Sequence, residues 1–134
     1  MLNNDIKPLY EAIDGILGIQ YPVTWQHMEE DKENVVGIYL YESSADRKYL
    51  SGDYQYESIK VQVQVQSENT EDGLFAALKY LREFVDKMEN EYVDTDEVSF
   101  EDCEHIGPKA VTIGTNEYGL KVCRSVVDVK YILN

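Results

Sequence analysis

The pattern of apolar and polar residues changes its period once, between Ser58 and Met88. In the first half, β-branched residues alternate with Lys or Gln: Ile59, Val61, Val63 and Val65 against Lys60, Gln62, Gln64 and Gln66. This period of two predicts a strand with one apolar face. In the second half, apolar residues recur at spacings of three and four, which predicts an amphipathic helix: Leu74, Leu78, Leu81, Val85 and Met88. A strand that leads into such a helix is typical of a small α+β domain.

The other elements follow from the same patterns. An apolar stripe predicts a first helix that is capped at Asn3 or Asn4 and ends at Gly18. Thr70 is the predicted N-cap of the second helix, although Gly73 stands where a complete capping box has Glu. Strands are predicted at residues 35–41, 58–67, 98–106, 109–114 and 120–133.

The last predicted strand changes its alternation near Ser125–Val127, which indicates a bulge there. Together the elements predict one domain over residues 1–134, of the α+β class. We expect a mostly antiparallel β-sheet with two helices packed on it, in the order α-β-β-α-β-β(-β), with a long β-hairpin arm.

The arm is the irregular stretch at residues 42–57, which combines turn residues with tyrosines. Long loops in compact domains are usually functional or disordered, and Tyr and Arg are enriched at interface anchors. The neutral Gln face of the central strand also suggests a partner-facing surface. We expect these residues to form an assembly interface: Arg47, Lys48, Tyr49, Leu50, Tyr54, Tyr56, Gln62 and Gln64. The alternative is that Tyr simply suits strands and that the Gln face is solvated.

Charge and composition exclude several classes of protein. The chain of 134 residues is 43% hydrophobic, which argues against global disorder, and its net charge of −14 disfavours ordinary nucleic-acid binding. Ten carboxylates and one base, Lys87, lie between Glu83 and Glu104. This acidic stretch is either a solvated surface or a surface that repels or imitates DNA. The sequence shows neither a signal-peptide pattern nor a membrane-spanning run, so we expect a cytoplasmic protein without membrane contact.

Residues for catalysis are sparse. Cys103 and His105, with Cys123, could supply three soft metal ligands, but zinc sites usually contain two closely spaced pairs. A buried thiol beside a surface histidine is the simpler interpretation. We therefore expect no catalytic residue, no cofactor and no metal, and hence no enzyme.

The order of elements resembles that of one family of phage proteins. The Ser44–Tyr49 turn, the Ile59–Gln66 strand and the following Leu74–Leu78 segment carry this likeness. The chain resembles the tail terminator, or tail completion, proteins (also called minor capsid proteins) of long non-contractile-tailed bacteriophages of Gram-positive hosts. The resemblance implies a structural virion protein that caps the tail tube, stops its growth and joins the tail to the head connector.

The resemblance also implies partners and a location. Such proteins form a ring, expected to be a hexamer, that contacts the tail tube protein and the head connector, and DNA passes through the lumen without specific binding. They occur in the host cytoplasm during assembly and at the head–tail junction of the virion. The alternative, from charge alone, is an acidic DNA mimic that inhibits a nucleic-acid enzyme.

Overall fold

The computed structural model describes residues 7–18, 21–42, 48–50, 54–91 and 93–133. It has two helices packed on a mostly antiparallel sheet, which confirms the predicted α+β class. Two short strands, β1 and β3, add to the predicted order. The elements are α1 (Lys7–Leu17), β1 (Val23–Trp25), β2 (Val35–Glu42), β3 (Lys48–Leu50), β4 (Tyr54–Ser67), α2 (Glu71–Asn90), β5 (Val98–His105), β6 (Val111–Thr115) and β7 (Lys121–Leu133).

The sheet is built around β4 and β7, which pair over eleven residues of β4, Glu57 to Ser67. Its main order is β1-β2-β4-β7-β5, and only β1 is parallel to its neighbour. β5 and β6 both pair with β7, one after the other, so they form one interrupted edge strand. Register shifts occur in each of them, between Phe100 and Asp102 and between Thr112 and Gly114. The central strands are therefore regular, and the irregularities are confined to the edge.

One face of the sheet and both helices enclose the hydrophobic core. The apolar positions of β4 (Val61, Val63 and Val65) are at most 1% exposed, which confirms the predicted alternation. α1 and α2 contribute to the same cluster, and the Tyr80 hydroxyl on α2 donates to the Leu17 carbonyl at 3.1 Å. Burial raises the pKa of Tyr80 to about 12, with smaller contributions from Tyr21 and Asp14, so this donor keeps its proton.

The predicted bulge near Ser125–Val127 is wrong. β7 pairs with β4 without a shift of register from Lys121 to Tyr131. The alternation is interrupted because Ser125 occupies a core-facing position, where it is fully buried and its hydroxyl donates to the Lys109 carbonyl. In the sequence, a polar residue at a core-facing position looks like a break in the alternation of the strand. Here Ser125 can be buried because a carbonyl distant in the chain accepts its hydrogen bond.

The helix ends follow the capping predictions where the structure describes them. Thr70 Oγ1 accepts the Gly73 amide at 3.0 Å, as an N-cap does. A Cβ at Gly73 would lie 2.9 Å from that oxygen and 3.0 Å from the Glu68 carbonyl oxygen, so the third helical position has no room for Glu. Gly18 ends α1 with a φ of 77°, as predicted, while Asn3 and Asn4 lie outside the described residues. Among the helices described, none has the length and apolar character needed to cross a membrane.

Candidate assembly interface

The predicted arm is a β-hairpin that continues the central strand. β3 pairs antiparallel with the first three residues of β4, with Lys48 opposite Tyr56, Tyr49 opposite Gln55 and Leu50 opposite Tyr54. β4 is 14 residues long and runs from this hairpin into the middle of the sheet. The predicted interface positions of the arm are thus on the same strand as Gln62 and Gln64, or paired with it. Arg47 lies outside the described residues.

The two glutamines lie on the face of the sheet that points away from both helices. Gln62 pairs with Tyr39 on β2 and Val126 on β7, and Gln64 pairs with Gly37 and Arg124. Both glutamines are half-buried, and neither side chain bonds to another described residue. We call this surface the outer face and define it by Tyr39, Tyr41, Lys60, Gln62, Gln64, Arg124 and Val126.

Residues 26–34 cover one end of the outer face, where Gln66 is only 1% exposed. Gln66 Nε2 donates to the carbonyls of Glu29 at 2.7 Å and Lys32 at 3.0 Å, and its Oε1 accepts from Asn116 Nδ2 at 3.3 Å. The glutamine row is therefore divided. Gln66 fastens the 26–34 segment to the sheet, while Gln62 and Gln64 lie beyond this cover.

The tyrosines of β2 occupy two environments on the outer face. A Cβ at Gly37 would lie 3.1 Å from the Tyr39 ring and 3.0 Å from Met28, so glycine allows both side chains to lie against the strand. Burial raises the pKa of Tyr39, and Tyr41 and Glu30 contribute further. Tyr39 packs on the sheet beside Gly37, whereas Tyr41 is 48% exposed. An aromatic side chain at the edge of the outer face is thus available for contact with a partner.

The predicted acidic stretch forms a surface along the second half of α2 and β5. Nine of its ten carboxylates are exposed: Glu83, Asp86, Glu91, Asp94, Asp96, Glu97, Glu101, Asp102 and Glu104. A few have local partners, such as Asp86 with Lys109 at 2.6 Å and Asp102 with Lys130 at 3.9 Å. The surface therefore keeps most of its negative charge.

Glu89 is the half-buried member of the acidic stretch. Its Oε2 accepts from the His105 amide at 2.9 Å and lies 2.8 Å from the His105 ring Nδ1. Partial burial alone would raise the pKa of Glu89, but the two His105 hydrogen bonds and the charges of His105 and Lys109 lower it. Glu89 thereby connects α2 to the end of β5.

The three residues considered as metal ligands are not brought together. Cys103 and His105 pair with Val129 and Val127 of β7 and so lie on one side of β5. Cys123 lies four residues from Val127, about 13 Å along the strand. Burial raises the pKa of Cys103 to about 12, with further contributions from Asp102, Glu89 and Asp128, so its thiol stays protonated. Within the described parts of the chain, no group of three such side chains could hold a metal ion.

No family model matches this chain, and no curated protein matches it significantly.

Proposed function

We propose that this protein is a structural virion protein that caps the tail tube of a long-tailed phage. In this role it stops tube growth and joins the tail to the head connector, as a ring through which DNA passes. The observation that carries the proposal is the outer face, because helices cover only the opposite side of the sheet. On this face Gln62 and Gln64 are half-buried, and neither side chain forms a hydrogen bond with another described residue.

A ring requires two different contact surfaces on each subunit. A head-to-tail contact closes into a ring when the rotation between neighbours is right, and each copy then uses one surface to meet the other surface of the next copy. The outer face and the helix layer lie on opposite sides of the sheet. This placement, with the hairpin arm extending β4, supports assembly by repeated head-to-tail contacts.

The acidic surface supports the passage of DNA. Nine exposed carboxylates in one stretch of chain repel phosphates at short range. If this surface lines the lumen, DNA passes without being retained. The same nine carboxylates support the alternative function, an acidic DNA mimic. In that case the purified protein inhibits nucleases or polymerases, and inhibition decreases as salt screens the charges.

Electron microscopy of gold-tagged protein mixed with phage tail tubes tests the main proposal. We expect gold at one end of each tube and no further elongation when tube protein is added. Absence of label on tubes that still elongate would reject the tail-capping function. Salt-dependent enzyme inhibition under the same conditions would favour the DNA mimic.

A pair of variants tests the outer face itself. The double variant Gln62→Glu and Gln64→Glu charges this surface without changing side-chain size, and we expect it to fold but to lose tube capping. Gly15→Glu is the control, since it adds an exposed carboxylate on α1, on the other side of the sheet. Capping by the double variant at the level of the control would exclude the outer face as a contact surface.

A further inference from the structure

A groove of about 420 Å³ lies between α2 and the start of β6. Its residues combine an apolar floor with charged groups: Phe75, Leu78, Lys79, Arg82, Glu83 and Ala110. Phe75, near the start of α2, is 57% exposed. Lys79 is 4.0 Å from Glu83, and Arg82 has no ion-pair partner in the described part of the chain. A net positive rim around an apolar groove fits an anionic partner with an apolar side chain.

The tip of the β6–β7 hairpin has this chemistry. Tyr118 is 58% exposed and follows Glu117. Asn116 fixes the turn, because its Oδ1 accepts the amides of Tyr118 at 2.9 Å and Leu120 at 3.1 Å. Asn116 Nδ2 also donates to the Glu30 carbonyl at 2.8 Å. Since the turn is already ordered, Tyr118 loses little backbone entropy when it docks.

We propose that the hairpin tip of one copy docks into the α2 groove of a second copy. Tyr118 packs against Phe75 and Leu78, and Glu117 faces Arg82 and Lys79. Two of the twelve Lys and Arg side chains of this chain line the groove, while the net charge of the chain is −14. The groove therefore complements the charge of a second copy of the chain. The contact joins two different surfaces and is therefore head-to-tail. This inference rests on the proposed ring and names its subunit contact.

Isotope-mixed crosslinking tests the contact directly. Unlabelled and ¹⁵N-labelled full-length proteins are mixed and treated with a carbodiimide, which joins a carboxylate to a nearby amine with loss of water. We expect an amide between Glu117 and Lys79 whose two peptides carry different isotopes. Absence of this mixed link, with or without other links, would overturn the proposal.

Charge reversal gives a second test that does not depend on crosslinking. We expect Arg82→Glu to weaken self-association about tenfold in sedimentation experiments, and Glu117→Arg to do the same. The combined variant restores the charge pair and should recover most of the association. Lys87→Glu is the control, since it reverses an exposed charge on α2 outside the groove and should change little. Failure of the combined variant to recover would reject the pairing of Glu117 with Arg82.

The same proteins separate this contact from the proposed function. If the protein forms the mixed link but does not cap tubes, the proposed subunit contact stands and the proposed phage function is rejected. A protein that caps tubes without the link keeps the function, and its ring then uses other surfaces.

Discussion

Removal of the Gln66 side-chain amide is the strongest test of how the sheet is covered. Gln66 is 1% exposed and makes three side-chain hydrogen bonds, two to carbonyls of the 26–34 segment and one from Asn116. Gln66→Leu keeps a similar volume but removes all three bonds, so the Lys32 carbonyl loses the Gln66 donor and the Glu29 carbonyl keeps only the Lys32 amide, at 3.3 Å. At about 1 kcal/mol per bond, with the 3.3 Å bond counting least, we expect a loss of about 2–3 kcal/mol in the free energy of unfolding.

Gln64→Leu is the matched control, because Gln64 is on the same face of the same strand but its side chain forms no hydrogen bond with a described residue. We expect it to change the free energy of unfolding by no more than about 0.5 kcal/mol. Urea denaturation followed by circular dichroism and by the fluorescence of Trp25 measures both variants. The fluorescence is informative because Trp25 directly precedes the 26–34 segment.

Hydrogen exchange then locates the effect. The Asn34 amide donates to the Gln66 carbonyl at 2.7 Å, and its protection should fall in Gln66→Leu more than that of the core amides. Equal losses of stability in Gln66→Leu and Gln64→Leu, or unchanged protection of Asn34, would refute the role of Gln66 as the residue that fastens this segment.

Three further substitutions test the core, the contact between the helices and the acidic surface. Val63→Asp places a carboxylate at a position with no solvent exposure, so we expect a loss of at least about 3 kcal/mol and no cooperative thermal transition by circular dichroism. Tyr80→Phe removes the bond to the Leu17 carbonyl and should cost about 1 kcal/mol in urea denaturation, while a cost near zero would contradict that bond. Glu89→Gln removes a carboxylate whose pKa is lowered below its usual 4.5 by the bonds from His105, against the effect of burial. The variant should therefore be less stable than the unchanged protein by at most about 1 kcal/mol above pH 4.5. This difference in the free energy of unfolding should disappear as the pH falls through the lowered pKa of Glu89. A difference that persists at low pH would exclude this charge effect.

The repeat of apolar and polar residues predicted the elements in which one face is turned to the core along the whole length of the element. Val61, Val63 and Val65 of β4 and Leu81, Val85 and Met88 of α2 are buried as expected, because burial follows the repeat of each element. The first members of the two rows, Ile59, Leu74 and Leu78, are partly buried and pack against the same core. The arm was also predictable, since its turn residues lie between two strongly patterned strands. β1 was not assigned as a strand because its three residues form an edge strand whose order depends on pairing with β2.

The positions that sequence reasoning missed depend on contacts between residues distant in the chain. Gln66 belongs to the polar half of the alternation, which predicts a position on the outer face, yet the 26–34 segment buries it. Ser125 is polar but occupies a core-facing position of β7, and its hydroxyl donates to the carbonyl of Lys109, which lies between β5 and β6. The α2 groove depends on Ala110 lying beside the helix, which the helix sequence does not encode. Tyr118 and Phe75 had one available signal, since each is an aromatic residue outside the apolar repeat.

The edges of the sheet bear on how copies of this chain associate. An open edge strand can pair with another chain without limit, and short strands, bulges and proline reduce this tendency. Here one edge is β1, only three residues long, and the other is interrupted between β5 and β6 by residues 106–110, which include Pro108. The same edge contains both register shifts. Pairing along β1 and along the β5–β6 edge is therefore disfavoured, and the surfaces left for the proposed assembly are the outer face, the hairpin arm and the groove on α2. For the ring proposed above, side-chain contacts between these surfaces would fix the angle between neighbours, whereas unlimited edge pairing would extend the sheet.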